Sequence, residues 1–76
     1  MASGDLNATF GIVLREAREA RGLSQEELAH RAQTNQAYVS LLETGKRGPS
    51  LSTMQLLAEA LGMKLSELVG LIESHG

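Results

Sequence analysis

At 76 residues the chain has room for one small domain, near the size where a single apolar core just suffices. It has no cysteine, which excludes a disulfide framework and a thiolate metal site and fits a reducing cytoplasm; no apolar run approaches a membrane span, and no signal segment leads the chain. A formal net charge of −2 argues against broad charge-driven affinity for polyanions, and with Phe10 and Tyr38 as the aromatics the core must come from aliphatic residues, which points to an all-α fold.

Residues 1–7 are small and polar and read as a flexible lead-in, with Asp5 or Asn7 available as a helix cap. From about Ala8 to Arg21, Phe10, Val13, Leu14 and Ala17 recur at i, i+3, i+4 and i+7, the stripe of a helix laid on a core, and Gly22 stops it. Arg18 falls at the margin of that stripe, where a guanidinium takes an acidic partner or a phosphate unless it is simply solvated.

Residues 24–44 read as two helices joined by a tight turn, and the rest of the chain is arranged around them. Ser24 and Glu27 have capping-box spacing, so a helix starts near Gln25 with Leu28, Ala29 and Ala32 inward. Thr34 and Asn35 interrupt the pattern, Asn35 caps a second helix over 36–44, and Gly45 ends it. On that second helix Val39 and Leu42 face inward, while Gln36, Ala37, Ser40, Leu41 and Thr44 make a polar face with almost no charge. A solvated face usually carries Lys and Glu; amide, hydroxyl and small apolar groups suit base edges, since Gln pairs with adenine and Ala meets a thymine methyl. The alternative is an ordinary polar surface.

The segment 45–50 is dense in turn-formers and carries the adjacent cations Lys46 and Arg47, with free N–H groups and permissive glycines that suit phosphate oxygens; the plain alternative is a surface loop. Ser50 caps a fourth helix reaching Leu61, with Leu51, Met54, Leu57, Ala58 and Leu61 inward, Leu56 outside that stripe and Gly62 closing it. A last helix over 65–74 carries Leu65, Leu68, Val69, Leu71 and Ile72, more apolar surface than one stripe needs. Part of it is expected to meet another molecule, and Gly70 would admit a second backbone.

The segments RxxRGLSQEELA (from Arg18), YVSLLETGKRGPSL (from Tyr38) and LAEALGMKLSELV (from Leu57) together resemble the XRE-type, phage-repressor-like helix-turn-helix family. The resemblance covers nearly the whole chain and rests on the combined S-Q-E-E-L-A, V-S-x-x-E-x-G and P-S-L elements. It implies a compact five-helix, lambda-repressor-like domain over 8–74, with the helix-turn-helix at 24–44 and its second helix in the DNA major groove. Carried over by position, Gln36 and Ala37 would be the principal base contacts, with Ser40 and Leu41 one turn on. Gln25, helped by its helix start, together with Thr44, Lys46 and Arg47, would meet the phosphate backbone. Tyr38 would either bond a phosphate through its hydroxyl or pack, the former being favoured. Arg18 and Glu43 would form a structural ion pair.

Three positions depart from the family pattern. Gln33 replaces a turn glycine, so it is either forced into a left-handed conformation or the turn takes another geometry. Ala37 and Leu41 are apolar where relatives often use Arg or Gln, which shifts weight toward DNA shape. Lys64 replaces a Ser or Thr cap, so the fifth helix should start late, near Ser66.

The leading function is a homodimeric transcription regulator on a palindromic operator, of repressor or controller type. Leu56, Leu68, Leu71 and Ile72 are its expected interface, double-stranded DNA its partner, and no cofactor or metal is needed. With the whole chain absorbed in the binding domain, regulation should come through concentration, dimerisation or a partner. The alternative is an interaction module or antitoxin docking a partner protein through the C-terminal helix, a reading that loss of the basic loop would favour. An enzyme is not expected: His30 and His75 lack any evident acid–base companion.

Overall fold

A computed structural model describes residues 3–75, with side chains from Leu6 onward. They form α1 (Ser3–Ala20), α2 (Gln25–Arg31), α3 (Gln36–Glu43), α4 (Leu51–Ala60) and α5 (Leu65–Ser74), and no strand occurs among the described residues. The all-α, five-helix expectation holds.

Local chemistry sets most boundaries. The Ser24 hydroxyl accepts from the Glu27 N–H at 3.0 Å while the Glu27 carboxylate accepts from the Ser24 N–H at 2.8 Å, a complete capping box. The Ser24 backbone N–H first, and the Ser24 side chain second, hold the Glu27 carboxyl below the usual carboxylate range. Asn35 caps α3 by accepting from the Tyr38 N–H at 2.9 Å, and Ser50 caps α4 by accepting from the Thr53 N–H at 3.1 Å. At α5 only half a box forms: the Lys64 N–H donates to Glu67 at 2.7 Å, and an ammonium has no lone pair to return. That half is enough to open α5 at Leu65 rather than Ser66.

One expectation at the amino-terminal end needs correction. The lead-in assigned to 1–7 is largely helix, because α1 begins at Ser3; Met1 and Ala2 lie outside the described residues. The segment holds no proline, and Leu6 extends the apolar row one turn before Phe10.

The turn between α2 and α3 settles the question at Gln33. Its φ is +62°, and the Thr34 and Gln33 N–H groups donate back to Ala29 and His30 carbonyls at 2.9 and 3.2 Å. This is a helix end of the kind Gly22, Gly45 and Gly62 make elsewhere, formed here with a side chain in the left-handed region. Gln33→Gly is therefore expected to raise the unfolding free energy by about 0.5–1 kcal/mol, the relieved strain exceeding the entropy glycine adds to the unfolded chain. Urea denaturation would read this as a higher midpoint at unchanged slope.

Every helix reaches one core, whose largest fully buried side chains are Leu14, Leu28, Val39, Leu42, Leu57 and Leu68. Leu68 is thus a core residue with no exposed surface, not an interface residue: α5 packs against α1 and α4 through it. Leu51, expected inward, is 71% exposed, because it is the first residue of α4 and precedes the turn that reaches the core. Leu56 is half-buried, as its place outside the stripe implies. Arg21 ties the ends of α1 and α4 together, its guanidinium donating to the Leu61 carbonyl and, at 3.1 Å, to that of Ala17.

Candidate nucleic-acid interface

The exposed side of α3 carries the residues singled out for base contact. Gln36 and Ala37 are exposed, and Ser40 and Leu41 are half-buried one turn later, while Val39 and Leu42 anchor the opposite side in the core. Thr44 follows at the end of the helix, exposed, with its hydroxyl donating back to the Ser40 and Leu41 carbonyls at 3.0 and 3.2 Å. To serve a phosphate, that hydroxyl would have to rotate away from its own helix.

Beneath this face runs a polar chain joining three helices. Arg18 of α1 grips Glu43 of α3 in a two-pronged pair, Nε to Oε2 at 2.6 Å and Nη2 to Oε1 at 3.1 Å, and its third donor meets the Leu23 carbonyl at 2.8 Å. The pair is largely withdrawn from water, with the two side chains 12% and 4% exposed. The hydrogen bond that Arg18 donates to Glu43 raises the already high Arg18 pKa against the opposing cost of burial. Glu43 Oε1 also accepts from Gln25 Nε2 at 3.0 Å, and Gln25 Oε1 accepts from Gln36 Nε2 at 3.0 Å. Gln36 keeps its carbonyl oxygen and one amide hydrogen, the two groups a bidentate pairing with adenine uses.

The family resemblance implied an Arg18–Glu43 ion pair and made Gln25 and Gln36 separate contacts; the structure brings all four together. The Gln25–Glu43 link spans residues far apart in the chain and left no local signal.

The basic loop leans on α1. A Cβ at Gly45, where φ is +76°, would lie 3.1 Å from the Ala8 Cα, and one at Gly48 would meet the Asn7 side chain at 2.5 Å. Lys46 and Arg47 project beyond this seat, both exposed. One expectation fails here: the amides of Gly45, Lys46 and Arg47 are not free, since they donate to the Leu42 and Leu41 carbonyls at 3.0 to 3.3 Å and so close α3. Cationic side chains, not backbone amides, are what this part of the loop offers. Arg47 lies over the ring of Tyr38, its guanidinium carbon 5.8 Å from the ring centroid. Asn7 and Ala8, which seat the loop, were not anticipated; the glycines at 45 and 48 were the available signal.

The match to known proteins agrees with this geometry. A family model described as helix-turn-helix matches residues 14–68, most of the chain and all of α2 and α3. The chain belongs to the XRE-type helix-turn-helix family. Its relatives include the HTH-type transcriptional regulator DdrOP3 of Deinococcus deserti, 41% identical over 63 residues, which cover 83% of this chain but 49% of that protein. The chain therefore spans about half the length of that relative. The control protein C.MunI of a Mycoplasma species is 39% identical over 72 residues, covering 93% of this chain and 97% of its own. Among solved structures, the restriction-modification controller protein C.AhdI of Aeromonas hydrophila superposes with a TM-score of 0.85 at 40% identity, over 90% of this chain and 99% of that one.

The helix-turn-helix family is one of DNA-binding transcription regulators and not of enzymes. In this helix-turn-helix, α2 is the first helix and α3 the second. No helix among the described residues is long and apolar enough to cross a membrane.

Proposed function

We propose that the protein is a homodimeric, sequence-specific regulator of repressor or controller type that binds a palindromic operator in the cytoplasm. The observation that carries this reading is the α3 face: exposed, nearly uncharged, flanked by Gln25 and by Lys46 and Arg47, and tied to α1 and α2 through Glu43. In this reading α3 enters the major groove. Gln36 pairs with a base edge, Ala37 and Leu41 make apolar contacts, and Ser40 adds a hydroxyl. Gln25, Thr44, Lys46 and Arg47 hold the phosphate backbone on either side, with Tyr38 beside them.

The overall charge of −2 means that phosphate affinity comes from this local pair of cations rather than from the molecule as a whole. Dimerisation would use α4 and α5. Leu71 is 44% exposed, Leu56 and Ile72 are half-buried, and Gly70 has open space where a side chain would begin. Two reading helices related by a two-fold axis would then meet half-sites about 34 Å apart, one DNA turn. The names of the relatives, a control protein and a controller protein among them, favour the same reading.

Selection of bound duplexes from a random library tests it. An enriched inverted repeat with half-sites one turn apart is expected, and sedimentation should give a dimer; a monomer, or no enrichment, would overturn the proposal. On the selected site, Gln36→Ala should cost roughly 1–3 kcal/mol and relax preference at one base pair. Lys46→Ala should instead weaken all sequences alike and lower the slope of log K against log salt by about one. Equal effects of both variants on every sequence would remove the division between base and phosphate contacts.

A further inference from the structure

Arg47 is engaged differently from Arg15, Arg18 and Arg21. Those three spend N–H groups on the Glu19 carboxylate, on Glu43 and the Leu23 carbonyl, and on the Ala17 and Leu61 carbonyls. Arg47 instead presents its guanidinium to the Tyr38 ring, 5.8 Å from the centroid. Such a contact uses the ring's negative face and leaves the guanidinium N–H edge available for an oxyanion.

Both partners are fixed at the backbone. The Tyr38 N–H is held by Asn35 at 2.9 Å and its ring packs against the core, while the Arg47 N–H donates to the Leu41 carbonyl at 3.3 Å. Tyr38 sits in the first turn of α3, beside Gln36 and Ala37, so the pair joins the reading face to the basic loop. We propose that Tyr38 is a positioning residue. Its ring, not its hydroxyl, holds the Arg47 guanidinium in the DNA-free protein so that the N–H edge meets a phosphate oxygen of duplex DNA. An arginine already restrained loses less rotamer freedom on binding than one free on a loop. This inference rests on the DNA-binding reading above and assigns Tyr38 its part in it.

Two measurements test it, one without DNA. By NMR of the free protein, the Arg47 side-chain protons should carry upfield ring-current shifts in wild type and in Tyr38→Phe, and lose them in Tyr38→Leu. Titration with a mixed-sequence duplex at low salt should leave Tyr38→Phe within about twofold of wild type and weaken Tyr38→Leu by roughly threefold to fivefold. Adding Tyr38→Leu to Arg47→Ala should weaken binding no further. Absent ring-current shifts in wild type overturn the proposal whatever Tyr38→Leu does to folding. Equal losses in Tyr38→Phe and Tyr38→Leu also overturn it, by making the hydroxyl the contact, as do additive losses with Arg47→Ala. Shifts present in a protein that binds no duplex would instead refute the DNA-binding reading.

Discussion

Glu43→Ala is expected to lower the unfolding free energy by about 3 kcal/mol, a large share of the roughly 5–10 kcal/mol a small domain holds. The substitution removes the carboxylate that accepts two bonds from Arg18 and one from Gln25, and leaves a guanidinium 12% exposed with the Leu23 carbonyl alone. The cost lies less in the lost attraction than in the uncompensated buried charge. Removing both charges, as in Arg18→Met with Glu43→Leu, should therefore recover most of the stability. Binding should not recover with it, because Gln25 and through it Gln36 lose their tether. Urea denaturation of the single and double variants reads the first effect, and titration of the selected operator reads the second. A loss under about 1 kcal/mol for Glu43→Ala would show that the pair is no more than a surface ion pair.

Gly11→Ala is expected to cost about 2 kcal/mol, although alanine is the better helix former by about 1 kcal/mol. Its Cβ would lie 2.5 Å from both the Leu42 and Glu43 carbonyl oxygens and 2.8 Å from the Glu43 carbonyl carbon. These are backbone atoms and cannot rotate aside. Relief requires α1 to move off the end of α3, which carries Glu43 and leads into the basic loop. The control is the same substitution at Gly70, where within one protomer a Cβ meets nothing within 4 Å; at a concentration low enough to keep the protein monomeric, alanine there should stabilise by about 0.5–1 kcal/mol. Thermal unfolding of the two variants should shift in opposite directions, and a shift of the same sign in both would refute the close approach of α1 and α3.

The ends of the helices were legible because their causes are local. Ser24, Asn35 and Ser50 each bond an amide three residues on, and Gly22, Gly45 and Gly62 each take the left-handed conformation that closes a helix. The stripe from Phe10 to Ala17 was legible for the same reason, since one helix's geometry decides which of its residues share a face. On α5 that logic ran out. Leu68 and Leu71 differ by less than one turn, and each lies on an apolar part of the helix. Only the packing of α5 against α1 and α4 buries the first completely and leaves the second 44% exposed.

The interface divides in the same way. Composition and spacing by themselves determined an α-helical domain, a nearly uncharged face on its third helix and two cations just after it, because each depends on residues within a few positions of one another. Tertiary structure alone decided that Gln25, Gln36, Arg18 and Glu43 form one hydrogen-bonded chain, that the loop amides close α3, and that Arg47 rests on Tyr38. The physical reason is reach. A cap or a stripe is settled within a turn or two of chain, whereas a side chain's distant partners depend on how whole helices are placed against one another, and that placement is set by the core they share.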